Sequence, residues 1–121
     1  MNRPWIARLS ALVAVIASVG VVATAAPAAP THVTAATVKV TATEFKFALS
    51  TKTVKAGVVK FTLVNHGKLP HDFKIAGKKT AQIGPGKTST VSVTLKAGPH
   101  PYVCTVPGHA AAGMKGVVVA K

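Results

Sequence analysis

The chain has 121 residues, one cysteine, and two acidic residues against 15 basic ones, which gives a formal net charge of +13. This length leaves room for one compact domain of the usual ~100 to 150 residues and excludes a second. A single cysteine excludes an internal disulfide, so the thiol needs another explanation, such as metal ligation.

The N-terminal segment has the three-part build of a secretory signal peptide. Two arginines lie within residues 1–8, an uncharged run covers residues 9–26, and an Ala-x-Ala site ends at Ala25. We expect cleavage after Ala25, which makes residues 1–25 the signal, and export to the periplasm, the cell envelope or the outside. Because the uncharged run approaches the ~20 residues that span a bilayer, a retained membrane anchor is the alternative.

The remaining chain divides into a tether and a domain. Residues 26–36 are rich in Thr, Ala and Pro without an apolar period, and we expect them to be flexible. Residues 37–121 are expected to form the folded domain. Because both arginines fall in the predicted signal, the rest of the chain carries thirteen lysines against Glu44 and Asp72, a net charge of +11.

This charge favours acidic partner proteins, or contact with an anionic envelope surface, through attraction that weakens with salt. Nucleic acid is not expected as a partner, since the lysines are scattered on alternate strand positions and aromatic residues are few. A monomer is the expected state.

Apolar residues recur at every second position through most of the predicted domain, which is the period of half-buried strands. The runs cover residues 38–40, 45–49, 59–63, 73–75, 91–95, 102–104 and 117–119. The pattern places Phe45, Val117 and Val119 among the residues that face the core. Turns rich in Gly and Pro separate the runs. An all-β fold of seven to eight strands, either a sandwich or a barrel, is therefore predicted.

The strongest motif is Cys104, His109 and Met114, spaced as Cys-x4-His-x4-Met before the last predicted strand. A thiolate, an imidazole and a thioether are soft or borderline donors, and two histidines, one cysteine and a weak axial methionine describe a blue copper centre. His71 is the best candidate for the second histidine, because it lies between a turn and an apolar alternation. The motif predicts one mononuclear copper ion that cycles between Cu(I) and Cu(II).

The other histidines, His32, His66 and His100, lack such neighbours and are interpreted as loop residues. With the four candidate ligands in place, the chain from about Val38 to Lys121 resembles a small cupredoxin of the plastocyanin, azurin and auracyanin kind. Its ligand spacing is closer to auracyanin-like and rusticyanin-like loops than to those of plastocyanin or azurin. The resemblance implies a Greek-key β-sandwich.

The resemblance also implies roles for neighbouring residues. In many cupredoxins the residue after the first histidine ties that segment to the residue after the cysteine, and Asp72 and Thr105 occupy these two places. In cupredoxins the edge of the histidine that follows the cysteine is the usual electron port, and His109 occupies that place. We expect acidic redox partner proteins to dock at the apolar rim around His109.

Four functions compete for this site. An electron carrier is the first hypothesis, and an envelope protein for copper storage, delivery or resistance is the second. A multicopper enzyme lacks its further ligands, since the predicted domain has no His-x-His pair. A thiol hydrolase built on Cys104 and His109 would need a third orienting group and leaves Met114 unexplained. We therefore expect no catalytic turnover.

Overall fold

The computed structural model describes residues 11, 14–15, 17–29 and 34–121. Residues 1–10, 12–13 and 16, which belong to the predicted signal peptide, lie outside the described residues, as does His32. The described residues up to position 29 contain no helix or strand. No helix among the described residues has the length and apolarity that crossing a membrane requires.

Nine β-strands lie within residues 34–121. They are β1 (Ala36–Thr43), β2 (Lys46–Leu49), β3 (Thr53–Val54), β4 (Gly57–Asn65), β5 (Lys74–Ile75), β6 (Lys78–Lys79), β7 (Thr88–Leu95), β8 (Gly98–Val103) and β9 (Lys115–Ala120). The count exceeds the predicted seven to eight because β3 and β6, which lie outside the predicted runs, have two residues each, too few to show an alternation in the sequence.

The strands form two sheets. One sheet has the order β2-β1-β4-β7 and the other has the order β3-β9-β8-β5-β6. The pairs β1–β4 and β3–β9 are parallel, and the other pairs are antiparallel. A single apolar core lies between the two sheets, and this arrangement confirms the predicted all-β sandwich.

Aromatic rings fill the middle of the core. Phe73 packs against Phe61 with ring centroids 5.1 Å apart and against Tyr102 at 5.3 Å. Phe47 meets Phe73 and Tyr102 edge-on, at 5.4 and 5.9 Å. Each buried ring adds about 1.5–3 kcal/mol of burial free energy. Because Phe73 follows His71 by two residues and Tyr102 precedes Cys104 by two, this cluster anchors both candidate ligand segments.

The prediction for the last strand was wrong about which residues face the core. Val117 and Val119 are 45% and 38% exposed, whereas Val118 and Ala120 are buried. Gly116 pairs with Tyr102 across β8 and β9, and the Tyr102 ring occupies the space where a side chain at Gly116 would lie. That contact sets the phase of β9, because the run of three valines contains no polar residue to set it.

The prediction for Phe45 was also wrong. Phe45 lies in the turn between β1 and β2 with a φ of 58°, and its side chain is 43% exposed. The strand begins one residue later, at Lys46. The turn directs this ring away from the aromatic core and towards the candidate site.

Gly116→Ala tests the contact that sets the phase of β9. Its Cβ would overlap the Tyr102 ring, which is buried and stacks on Phe73, so the ring could move only by giving up that contact. We expect the free energy of unfolding, measured with urea, to fall by about 1–3 kcal/mol. Gly84→Ala is the matched control, since a Cβ there meets nothing within 4 Å. Equal stability changes in the two variants would contradict this packing.

Candidate metal centre

Three donor atoms converge at one end of the sandwich. His71, Cys104 and His109 each offer one donor atom, and these atoms lie within 4.8 Å of one another. The two Nδ1 atoms of the histidines are 3.1 Å apart, and Cys104 Sγ is 3.6 Å from His109 Nδ1. All three residues are buried. Residues that are 33 and 38 positions apart in the chain thus share one small volume.

The loop after β8 holds its own shape through backbone hydrogen bonds. The Cys104 N–H donates to the Met114 carbonyl at 3.0 Å, and the Met114 N–H donates to the His109 carbonyl at 3.1 Å. Gly108 has a φ of 83° and Gly113 a φ of 111°, values that suit glycine. Through these two bonds the backbone of Met114 is tied to both Cys104 and His109. The Met114 side chain is fully buried.

His71 is fixed from the other side of the site. Its N–H donates to the Ile83 carbonyl at 3.0 Å and its carbonyl accepts the Ile83 N–H at 2.9 Å. The buried side chain of Asn65 braces the turn before it, donating to the Leu69 and Ile83 carbonyls and accepting from the Gly67 N–H. Sequence reasoning recognised a turn at Asn65 but missed this bracing role.

Asp72 and Thr105 join the two ligand segments. The Thr105 N–H donates to Asp72 Oδ1 at 2.6 Å, and the Thr105 hydroxyl donates to Oδ2. Asp72 is buried, so both of its carboxylate oxygens are used within the protein. These contacts link the residue after His71 to the residue after Cys104.

Burial sets the protonation of the donor groups. It lowers the pKa of His71, and the neighbouring His109 lowers that pKa further, so the imidazole is held in the neutral form that binds metals. Burial also raises the pKa of the Cys104 thiol. A metal cation reverses this preference, because the thiolate is the ligand and its proton is released on binding.

The donor set and its spacing fit a metal ion. Two ligands bound to one ion at about 2.0–2.1 Å with a tetrahedral angle lie about 3.3 Å apart. The 3.1 Å between the two Nδ1 atoms agrees with such a shared ion. Two imidazoles, one thiolate and a thioether from the same loop are the donors of a type 1 copper site.

Two residues of the β1–β2 turn also lie at the site, and sequence reasoning missed both roles. Glu44 Oε1 is 3.9 Å from His71 Nε2, and the Phe45 ring meets the His109 ring edge-on with centroids 5.2 Å apart. The sequence singles out Glu44 in one way only, because it is one of two acidic residues in the chain.

The two remaining described histidines lie outside the site. His66 is exposed, and His100 is half-buried within β8. The His100 ring nitrogen Nε2 is 2.6 Å from the Lys96 carbonyl, a contact within the neighbouring turn.

Residues 11–120 match the model of one protein family, described as the cupredoxin-like domain. The chain belongs to this family. The match spans the whole sandwich and the donor cluster, so the resemblance of the sequence to small cupredoxins is confirmed. A sequence search of curated proteins finds no match.

Solved structures of auracyanins share the fold of this cupredoxin-like domain. Sodium dithionite-reduced auracyanin from the photosynthetic bacterium Roseiflexus castenholzii aligns with a TM-score of 0.64 and 22% identity, over 72% of this chain and 98% of that one. Auracyanin B aligns with a TM-score of 0.65 and 24% identity, over 72% and 89%.

A third structure is auracyanin A, described as a "blue" copper protein, from the green thermophilic photosynthetic bacterium Chloroflexus aurantiacus. It aligns with a TM-score of 0.62 and 21% identity, over 73% of this chain and 100% of that one. At such identities the likeness concerns the fold.

Asn65→Ala tests how this cupredoxin-like domain holds His71. Removing the side chain leaves the Leu69 carbonyl and the buried Gly67 N–H without this partner, while the Ile83 carbonyl keeps the His71 N–H, and each such loss costs about 1–3 kcal/mol. We expect the free energy of unfolding to fall by at least about 2 kcal/mol. The control is His66→Ala, an exposed neighbour. A stability of Asn65→Ala equal to that of this control would show that the turn does not depend on Asn65.

Proposed function

We propose that this protein is a blue copper electron carrier that shuttles single electrons through one mononuclear ion held by His71, Cys104, His109 and Met114. The observation that carries the proposal is the convergence of two imidazole nitrogens and one thiol sulfur in a buried volume, with a methionine on the same loop. No carboxylate belongs to this cluster in the described residues, which favours a soft metal over a hard one.

Copper, when bound, supplies a couple between Cu(I) and Cu(II). The protein's part is to keep the donors in nearly one arrangement in both states. His71 is held by its two backbone bonds to Ile83, and the loop from Cys104 to Met114 is closed by its own hydrogen bonds. Asp72 binds Thr105 and so restricts movement of one ligand segment relative to the other. Such restraint supports rapid electron exchange.

His109 is the proposed electron port. It is 7% exposed, and the residues beside it in the chain, Gly108, Ala111 and Ala112, are small and exposed. Short side chains allow a partner to approach the imidazole edge closely. The lysines, which outnumber the acidic residues, would steer an acidic redox protein to this apolar rim. A monomer presents the rim without obstruction.

The domain plan and the location belong to the same proposal. Residues 1–25 would be a signal for export to the periplasm or cell envelope, residues 26–36 a tether, and residues 37–121 the electron-transfer domain. The charged start, apolar run and Ala-x-Ala site support this division. Membrane contact would then arise from an uncleaved N-terminal segment or from the basic surface.

A non-catalytic role is also proposed. Within the described residues, the one group of His, Cys, Asp or Glu that could hold a metal is His71, Cys104 and His109. Multicopper oxidase or nitrite reductase chemistry needs further copper sites. The burial of Cys104, which raises the pKa of its thiol, also disfavours a nucleophilic role.

The visible absorption spectrum after addition of copper(II) tests the electron-carrier proposal. We expect an intense thiolate-to-copper band that bleaches on reduction, returns on reoxidation, and is absent from Cys104→Ser. His100→Ala is the matched control and should keep the band, since His100 contacts only the Lys96 carbonyl. Tight binding of copper(I) without such a band would overturn the proposal in favour of copper storage or delivery.

Ala111→Trp tests the proposed port. A bulky ring beside His109 should hold the reaction partner further from the imidazole edge and slow oxidation by hexacyanoferrate(III) severalfold in stopped-flow measurements. Ala97→Trp is the control, because Ala97 precedes β8 at the end remote from Cys104, about 20 Å away along the strand. Equal rates in the two variants would place the port elsewhere.

A further inference from the structure

The turn between β1 and β2 contacts both histidines of the candidate centre. Glu44 Oε1 lies 3.9 Å from His71 Nε2, and the Phe45 ring lies edge-on against the His109 ring at 5.2 Å with an interplanar angle of 81°. Neither residue belongs to the two segments that carry the donor atoms. A third segment of the chain therefore borders the site.

The Glu44 carboxylate is held in place by backbone groups. Its Oε1 accepts the N–H groups of Lys68 and Leu69, the latter at 3.0 Å. A Cβ at Gly67 would overlap the carboxylate, so glycine is needed there for the close approach. These backbone hydrogen bonds lower the pKa of Glu44, which keeps it ionised at neutral pH. A full negative charge is thus fixed beside the turn that leads to His71.

His71 Nε2 is the atom that can donate a hydrogen bond to this carboxylate. Within the described residues it is a fully buried polar atom with no hydrogen-bond partner. When Nδ1 of a histidine binds a metal, Nε2 carries the ring proton, and metal-bound histidines almost always donate this proton to a carboxylate, carbonyl or water. The carboxylate oxygen is about 1 Å beyond ordinary hydrogen-bond length, and the Glu44 side chain, which is 37% exposed, is the group with room to approach.

The conformation of Phe45 follows from the tightness of the turn between β1 and β2. A non-glycine residue with a φ of 58° costs about 1–2 kcal/mol, and Phe45 adopts this conformation in the two-residue turn between the paired residues Thr43 and Lys46. Its ring packs on His109. The same turn therefore brings Phe45 against His109 and Glu44 near His71.

We propose that Glu44 is a positioning residue of the metal centre, whose carboxylate accepts the Nε2 proton of metal-bound His71 and stabilises copper(II) relative to copper(I). The inference rests on the proposed function and deepens it, because it names a residue that sets the balance between the two oxidation states. A negative charge near the ion favours the more highly charged state. Glu44 therefore lowers the reduction potential.

Two variants separate this role from simple bracing of the turn. Glu44→Gln keeps a carbonyl oxygen that accepts from Lys68 and Leu69 but removes the charge. Glu44→Ala removes the charge and the hydrogen bonds. If Glu44 only braces the turn, Glu44→Ala should lose stability and Glu44→Gln should behave as the wild type in every measurement.

The decisive measurement is the reduction potential of the Glu44→Gln variant, compared with that of the wild type. We expect its affinity for copper(II), relative to copper(I), to fall about tenfold, the low end of the effect of a neighbouring charge on a titrating group. Tenfold corresponds to a rise of 59 mV for a one-electron couple. The free energy of unfolding of the metal-free variant should stay near the wild-type value.

Lys55→Gln is the charge control. Lys55 lies just before β4, at the end of that nine-residue strand remote from Asn65, about 30 Å along the strand from the turn before His71. At ordinary salt such a distance is several Debye lengths, and the potential should not change. An unchanged potential in Glu44→Gln, or an equal shift in Lys55→Gln, would overturn the proposal.

A redox-silent ion distinguishes failure of this inference from failure of the proposed function. Absence of a blue band in the wild type would contradict the electron-carrier proposal. The affinity for cobalt(II) would still show whether Glu44 positions His71 for metal binding. Loss of an outer hydrogen-bond partner typically costs about 10–100-fold in metal affinity, and we expect that loss in Glu44→Ala. If Glu44→Ala bound cobalt(II) as tightly as the wild type, or if the wild type did not bind cobalt(II), the role of Glu44 would be contradicted.

Discussion

Two segments separated by 33 positions in the chain have to bring their donor atoms within 4.8 Å of one another, and this constraint shapes the molecule. Closing so long a loop costs chain entropy, and a buried polar group without a partner costs more. The sandwich meets the entropic cost with extended strand pairing that is independent of the site. The donor atoms then occupy positions that the sheets have already fixed.

The contacts between the segments are of two kinds. Apolar packing joins Phe73 to Tyr102, two residues from a donor on each segment. Polar contacts join Asp72 to Thr105, immediately beside the donors. Packing tolerates small displacements of the rings, whereas the paired hydrogen bonds fix direction. The combination holds the donors to a narrow range of positions without help from the donor atoms themselves.

The sequence predicted the strands best where one face is polar. In β4 and β7, Lys, Thr or Ser separates the apolar residues, so the alternation identifies the buried face. In β9 the run Val117 to Val119 has no such marker, and the face depends on Gly116 lying opposite Tyr102. A contact between two strands decides which residues of β9 face the core, and the pattern of one strand does not contain that information.

The site shows the same division between local and distant information. Cys104, His109 and Met114 lie within eleven residues, so their spacing is visible in the sequence. The bracing by Asn65 and the approach of Glu44 to His71 depend on how the turns fold over one another. The prediction for Phe45 was wrong because its spacing from Phe47 is that of a strand. Its backbone instead occupies a region that residues other than glycine rarely adopt.

The distribution of charge gives the two acidic residues a meaning that their number alone does not. Both Asp72 and Glu44 lie beside His71, and both are bonded to N–H or O–H groups of the protein. The rest of the charged side chains in residues 37–121 are lysines. The acidic side chains of residues 37–121 therefore both lie beside a candidate metal ligand, where negative charge favours a cation, and no other acidic side chain interrupts the lysine-rich remainder. The electrostatics beside His71 thus differ in sign from those of the other charged side chains in the domain.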